Sequence, residues 1–338
     1  MATTRRPIVI NGKTQWITSK TAQEFADKVL VLAATPKSSE KHPFESYAWN
    51  WFETYSKPNI ETVTATTYKR QLTKHILPAF NGLNVEEISV DHVQTLFNSM
   101  SGRKTTKDKA RIVLNQILDA AVEDKLLPTN PLKSKRIKIT GEQSNPTNPY
   151  STEQMRYLVS HIGDVKNAAD RGFLAILSLH PLRLEEVLGL QGSDIDAEGM
   201  TLYINRAVTH PTRNQPEVKE TKTEHSRRPV GIAPIALQYL PSVPKDKFLF
   251  GSDKPLSYTQ VRRMCERIRK DTGFEEKITP IRFRTTVLTD LYDKTKDIKL
   301  TQEAAGHTTS AMTMKYYVKG RESQAAAANA IQEAYSMS

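Results

Sequence analysis

The chain has 338 residues, 38% of them hydrophobic, and a formal net charge of +11; the length suits two or three domains with real cores, and the charge points to a polyanionic partner, nucleic acid before an anionic membrane, while charge alone leaves a merely basic surface equally open. The one cysteine, Cys265, excludes an intrachain disulfide and fits a reducing cytoplasm. The eight histidines show no metal-ligand spacing, no apolar run is long enough to span a bilayer, the N-terminal MATTRRPIVING lacks the apolar core of a signal peptide, and no glycine-rich loop ending in lysine offers ATP a seat.

Pro7 to Thr18 reads as two short strands around Asn11-Gly12, a strong hairpin signal. Ser19 is a candidate cap for the helix TAQEFADKVLVLA, whose Ala22, Phe25, Ala26, Val29 and Leu30 share one face. Residues 1–35 thus form a small module, either a separate binding unit or an extension of the next domain, and polar residues 36–43 a linker. Four helical segments follow over 44–132: FESYAWNWFETYS; TATTYKRQLTKHILPAF, with Tyr68, Leu72 and Ile76 four apart; VDHVQTLFNSM; and TTKDKARIVLNQILDAAVEDKLL. In the last, Ala110, Val113, Leu114, Ile117, Leu118 and Ala121 make a core-facing stripe. Pro128 and Asn130-Pro131 end it.

Residues 133–150 carry Lys133, Lys135, Arg136 and Lys138, then polar residues with Pro146 and Pro149. They read as a basic interdomain linker, lying along phosphates or simply solvated. From Ser151 the pattern is mixed. Ser151 and Gln154 form a capping box for TEQMRYLVSHI. Residues 170–190 are apolar and helical apart from His180-Pro181, and TLYINRAV, EVKETKT and RRPVGIA alternate as three short strands. SYTQVRRMCERIRKDTG and RTTVLTDLYDKT are helical, and Ala-rich residues 322–338 read as a small-faced tail helix. The expected class is mainly α with small β-sheets: a helical domain, then an α+β domain over 151–321.

Five residues in this second domain suggest one chemistry. Arg183 stands in HPLRLEEVLGL, Lys222 in KETKTEHSRRPV, Arg284 in TPIRFRTTVLT, and His307 and Tyr316 in GHTTSAMTMKYY. A phosphodiester repels nucleophiles through its nonbridging oxygens, and arginine offers a permanent charge with a planar fork to two of them. Two converging arginines stabilise a pentavalent transition state. Arg183 and Glu186, three apart, share a helix face. Thr279-Pro280 reads as the cap and first residue of the helix carrying Arg284.

In this order the five residues resemble the active site of the tyrosine recombinases, the lambda-integrase-like family, and the resemblance covers roughly residues 45–320. Leu182, Arg183 and Glu186 match the family's Thr-Gly-Leu-Arg-x-x-Glu, and Gly306-His307 its Gly-His. The nine-residue step from His307 selects Tyr316 over Tyr317, and the hairpin position favours Lys222 over Lys219. His180-Pro181 replaces Thr-Gly, Ile281 stands where the family has a histidine, and Thr285 where a second often follows the arginine.

The resemblance implies a helical core-DNA-binding domain, an α+β tyrosine-recombinase catalytic domain, and an arm-DNA-binding module at the N-terminus. It implies a site-specific recombinase, an integrase of a phage or mobile element, in which Tyr316 forms a 3′-phosphotyrosine, Lys222 protonates the departing 5′ oxygen, and Arg183, Arg284 and His307 hold the phosphate. No metal or other cofactor is needed. The implied partners are double-stranded DNA recombination sites, a homo-tetramer on DNA with the C-terminal tail docking in trans, and an accessory DNA-bending or directionality factor; no membrane is involved. The implied location is cytoplasmic, nucleoid-associated when bound. The competing reading is a sequence-specific DNA-binding protein with a degenerate site, motivated by Ile281.

Overall fold

The computed structural model of the chain describes residues 3–10, 13–34, 41–145, 147–220, 228–307 and 309. It divides into two compact units, Met1–Ser144 and Asn145–Ser338.

In the first unit, β1 (Thr4–Ile10) and β2 (Lys13–Ser19) pair antiparallel, from Thr4↔Ser19 to Ile10↔Lys13. The register leaves a two-residue connection, as Asn11-Gly12 predicts; those two residues lie outside the described ones. α1 (Ala22–Ala34) follows. Its cap is Thr21, not Ser19: the Glu24 N–H donates to Thr21 Oγ1 at 3.1 Å, while Ser19 is the last residue of β2. Of the expected apolar face, Phe25 and Val29 are half-buried, but Ala22 and Ala26 are exposed.

The helical part begins with α2 (Phe44–Trp51), which widens into a π-helical turn over Phe52–Ser56. α3 (Thr62–Gln71) likewise passes through a π turn, Leu72–Ile76, into α4 (Leu77–Ala79). α5 (Val90–Ser99) is capped by Ser89, whose Oγ accepts from the His92 N–H at 3.3 Å. α6 (Lys104–Glu123) buries the whole predicted stripe from Ala110 to Ala121 against Phe44, Phe52, Leu72, Ile76 and Phe97. Asn130 then pins the chain. Its Oδ1 accepts from the Leu132 N–H at 2.9 Å, and its Nδ2 donates to Asp119 Oδ1 at 2.8 Å.

Residues 136–140 alternate outward and inward. Arg136, Lys138 and Thr140 are exposed, while Ile137 and Ile139 pack on the helical core. Gln94 holds this segment with two bonds, accepting from the Lys138 N–H at 2.7 Å and donating to the Lys138 carbonyl at 2.9 Å.

The second unit opens with α7 (Thr152–Ser160), started by the predicted Ser151/Gln154 capping box. α8 (Ala168–Leu179) is buried along Gly172–Ser178 and forms the centre of the core. After α9 (Leu184–Gly189) come β3 (Ile195–Asp196), β4 (Thr201–Ile204), β5 (Arg206–Thr212), β6 (Gln215–Glu220) and β7 (Arg228–Gly231). The run TLYINRAV, expected as one strand, breaks at Asn205. β4 joins β3 and β7 in one sheet, and β5 pairs with β6 in another. Buried Asp194, 1% exposed, ties this point down: it accepts from Asn205 Nδ2 at 2.8 Å and from Arg206 Nη1, the first residue of β5. α10 (Pro234–Leu237), α11 (Tyr258–Thr272), α12 (Pro280–Thr295) and α13 (Ile298–Ala305) complete the described fold. Among the described residues no helix is long and apolar enough to cross a membrane.

Candidate active site

α8 ends at Leu179, and the next two residues lead the chain toward Arg183. The His180 imidazole is buried. Its Nε2 accepts from the Ala233 N–H at 3.1 Å, which leaves the proton on Nδ1, 3.3 Å from the Ile176 carbonyl. Burial pushes its pKa below the usual histidine value. His180 therefore ties the end of α8 to the start of α10. The Pro181 carbonyl accepts from Arg284 Nη1.

Arg183 is the cap residue of α9, outside the helix proper, with extended φ and ψ of −71° and 148°. It still meets Glu186. The Arg183 N–H donates to Glu186 Oε2 at 2.8 Å and Nη1 donates to Oε1 at 2.9 Å. Glu186 is 6% exposed, and although burial opposes its charge, Arg228 and Arg183 together hold its pKa below the usual carboxylate value.

Arg284 arrives from α12, with Thr279 at the cap position and Pro280 in the first turn, as read from the sequence; the Thr279 side chain makes no capping bond. Arg284 is 5% exposed, and its Nη2 donates to the Ala305 carbonyl at 2.7 Å and lies 3.2 Å from His307 Nε2. A guanidinium has only donors, so Nε2 accepts and the neutral ring carries its proton on Nδ1. Burial first, then the charges of Arg284, Arg183 and Arg228, press the His307 pKa down to about 4. The turn carrying His307 is closed by Gly306, which ends α13 at φ 59°. Gln302 fixes the turn, accepting from the His307 N–H at 3.1 Å and donating to its carbonyl at 3.1 Å. Arg183 Nη2 donates to the Gly306 carbonyl at 2.9 Å.

The structure thus brings Arg183, Glu186, Arg284 and His307 together from segments far apart in the chain. It adds a residue that the sequence reading missed, Arg228 on β7, whose Nη1 and Nη2 reach Glu186 Oε1 and Oε2 at 3.0 and 3.1 Å. The signal was present: Arg228 alternates with Val230 on the inward face of a strand, a place where a charge needs a buried partner. Three guanidiniums against one carboxylate, with His307 neutral, leave two positive charges, enough to receive a phosphodiester and stabilise the further charge of its transition state.

Lys222, Tyr316 and Tyr317 lie outside the described residues. Lys219 is on β6 opposite Ala207. Ile281 is 57% exposed in the first turn of α12. Arg282 is turned away: Nε donates to the Asn148 carbonyl at 3.0 Å, Nη1 pairs with Glu276, and the guanidinium stacks 3.8 Å over the Tyr150 ring. Thr285 Oγ1 donates back to the Ile281 carbonyl at 2.9 Å. In the basic segment, Lys133 pairs with Asp119 at 2.6 Å and Arg136 with Asp91 at 3.0 Å, and Lys135 and Lys138 are exposed. Among the described residues no cluster of His, Cys, Asp or Glu could hold a metal ion.

A helical unit followed by an α+β unit, with two arginines and a histidine at one turn, is the lambda-integrase type of fold. Residues 150–323 match the phage integrase family, and residues 43–101 the phage integrase N-terminal SAM-like domain. The chain belongs to the phage integrase family. It is 26% identical over 206 residues to the integrase of Mycobacterium phage L5, covering 60% of this chain and 53% of that protein. To tyrosine recombinase XerC of Proteus mirabilis it is 26% identical over 269 residues, covering 76% and 83%. The match spans about half the length of the mycobacteriophage integrases. In fold it is similar to the Tn1549 transposon integrase in complex with a circular intermediate DNA, with TM-score 0.71, 18% identity, and 87% and 100% coverage. It is also similar to a lambda integrase dimer bound to a COC′ core site, with TM-score 0.64, 16% identity, and 89% and 87% coverage.

Proposed function

We propose that this chain is a site-specific tyrosine recombinase that cuts and rejoins double-stranded DNA through a 3′-phosphotyrosyl link. One observation carries the reading: Arg183, Arg284 and His307 converge on the turn at Gly306, and two of them are held by backbone carbonyls of that turn. Arg183 and Arg284 take the nonbridging oxygens. His307, neutral at neutral pH, hydrogen-bonds the same phosphate, and Glu186 orients Arg183. Tyr316 attacks, its phenolate favoured by the guanidinium charges, and Lys222 protonates the leaving 5′ oxygen. A 5′-hydroxyl of the partner duplex then attacks the phosphotyrosine and releases the tyrosine. The bond energy stays in the protein link, so the cycle needs no nucleotide and no metal.

The relatives' names support an integrase of a phage or mobile element. On this reading residues 1–35 bind arm sites, 44–132 the core site, and 151–321 carry the chemistry. Residues 36–43 and 133–150 link them, and Lys133, Lys135, Arg136 and Lys138 follow phosphates. Four protomers assemble on two sites, with residues 322–338 docking in trans and an accessory bending or directionality factor assisting. The protein then works in the cytoplasm, on the nucleoid. Tyr316→Phe tests the assignment: it should bind a target duplex with wild-type affinity yet form no covalent adduct on a nicked suicide substrate. An adduct in that variant, or one mapped to Tyr317, overturns it.

A further inference from the structure

We propose that Arg228 is a positioning residue of this site: paired through both Nη atoms with Glu186 and packed under Gly306, it holds Arg183 and the His307 turn in place without itself taking the phosphate. The inference rests on the recombinase reading above.

Two contacts carry it. The first is the shared carboxylate. Glu186 Oε1 accepts from both Arg183 Nη1 and Arg228 Nη1, and Oε2 from both the Arg183 N–H and Arg228 Nη2. Each guanidinium limits the pull on the other. Without Arg228 the buried carboxylate would lose half of these donors and draw Arg183 inward, away from a ligand. The Arg228 side chain is only 14% exposed, and its charge is already matched by Glu186, so it is poorly placed to receive a phosphate directly.

The second contact is with Gly306. A Cβ on Gly306 would stand 2.9 Å from Arg228 Cζ and 3.0 Å from its Nη1. The guanidinium is thus the floor on which the turn rests, and Arg183 Nη2 holds the same residue through its carbonyl. A lysine could restore the charge at 228, but not the planar fork that meets both carboxylate oxygens.

The test compares Arg228→Lys and Arg228→Met with wild type in single-turnover adduct formation, duplex affinity, thermal melting and NMR titration of His307. Arg228→Lys should stay folded and bind DNA with near-wild-type affinity, yet form adduct about tenfold or more slowly, the scale of a displaced charge-stabilising donor. Arg228→Met should slow the reaction further and raise the His307 titration midpoint, since one of three flanking charges is gone; a purely structural brace would not separate affinity from rate. Wild-type adduct rates in folded Arg228→Lys and Arg228→Met overturn the inference, and if Arg228→Met does not fold, Arg228→Lys alone decides. If wild type itself forms no adduct, the recombinase reading falls, and the titration decides for Arg228: an unchanged His307 midpoint overturns its role.

Discussion

At the scale of single residues, the departures from the family pattern have different weights. His180-Pro181 costs the site nothing visible, because the imidazole is spent inside the fold and the proline supplies a carbonyl to Arg284. Ile281 is different: it sits exposed one turn before Arg284 and offers no donor. If the arginines and His307 suffice, Ile281→His should change the cleavage rate by about tenfold or less, the worth of one ordinary hydrogen bond. An inert wild type rescued by Ile281→His would instead establish the degenerate-site reading. The histidine and both arginines were legible because each sits in a short local pattern. Arg228 was overlooked: its alternation with Val230 hinted at an inward charge, but its partner Glu186 lies 42 residues upstream and nothing local pairs them.

At the scale of elements, periodicity decided what could be read. The α6 stripe was fully legible because six apolar positions repeat on one helix face. The break at Asn205 was not, because alternation cannot reveal that a buried Asp194 bonds the side chains of Asn205 and Arg206 where the chain passes from one sheet to the next. The cap of α1 was placed two residues early, at Ser19 instead of Thr21, since hydroxyls stand on both sides of the boundary and strand pairing claims the earlier one. The junction of α13 with the His307 turn is sensitive to substitution at its glycine. Gly306→Ala would place a side chain at φ 59° and against Arg228. It should lower the unfolding free energy by about 1–2 kcal/mol, the scale of left-handed backbone strain. Urea denaturation measures this, and adduct formation should slow in the same variant.

At the scale of the whole molecule, a net charge of +11 sets the response to salt. Duplex affinity should fall steeply and linearly on a log–log plot against salt concentration, because each neutralised phosphate releases counterions. A flat plot, measured by fluorescence anisotropy, would argue against an extended DNA contact. Within the basic segment the contributions should be unequal. Lys133 must leave Asp119 and Arg136 must leave Asp91 before either meets a phosphate. Alanine at Lys133 should therefore lower the salt slope less than alanine at Lys135.

The two π turns bear on how the chain tolerates a change of length. In each, a backbone N–H reaches back five residues, from Lys57 to the Phe52 carbonyl and from Leu77 to the Leu72 carbonyl. Such a turn holds about one residue more than an α-helix needs between the same flanks. Removing Thr54 or Lys74, both exposed, should let the helix close to ordinary α geometry, with its buried neighbours before and after left on their own faces. Removing Gln116 from α6, which has no surplus, would swing Ile117, Leu118 and Ala121 about 100° off the core. Cooperative melting should survive the first two deletions and vanish with the third, so the helical unit has two places where its sequence can be shortened and a long helix where it cannot.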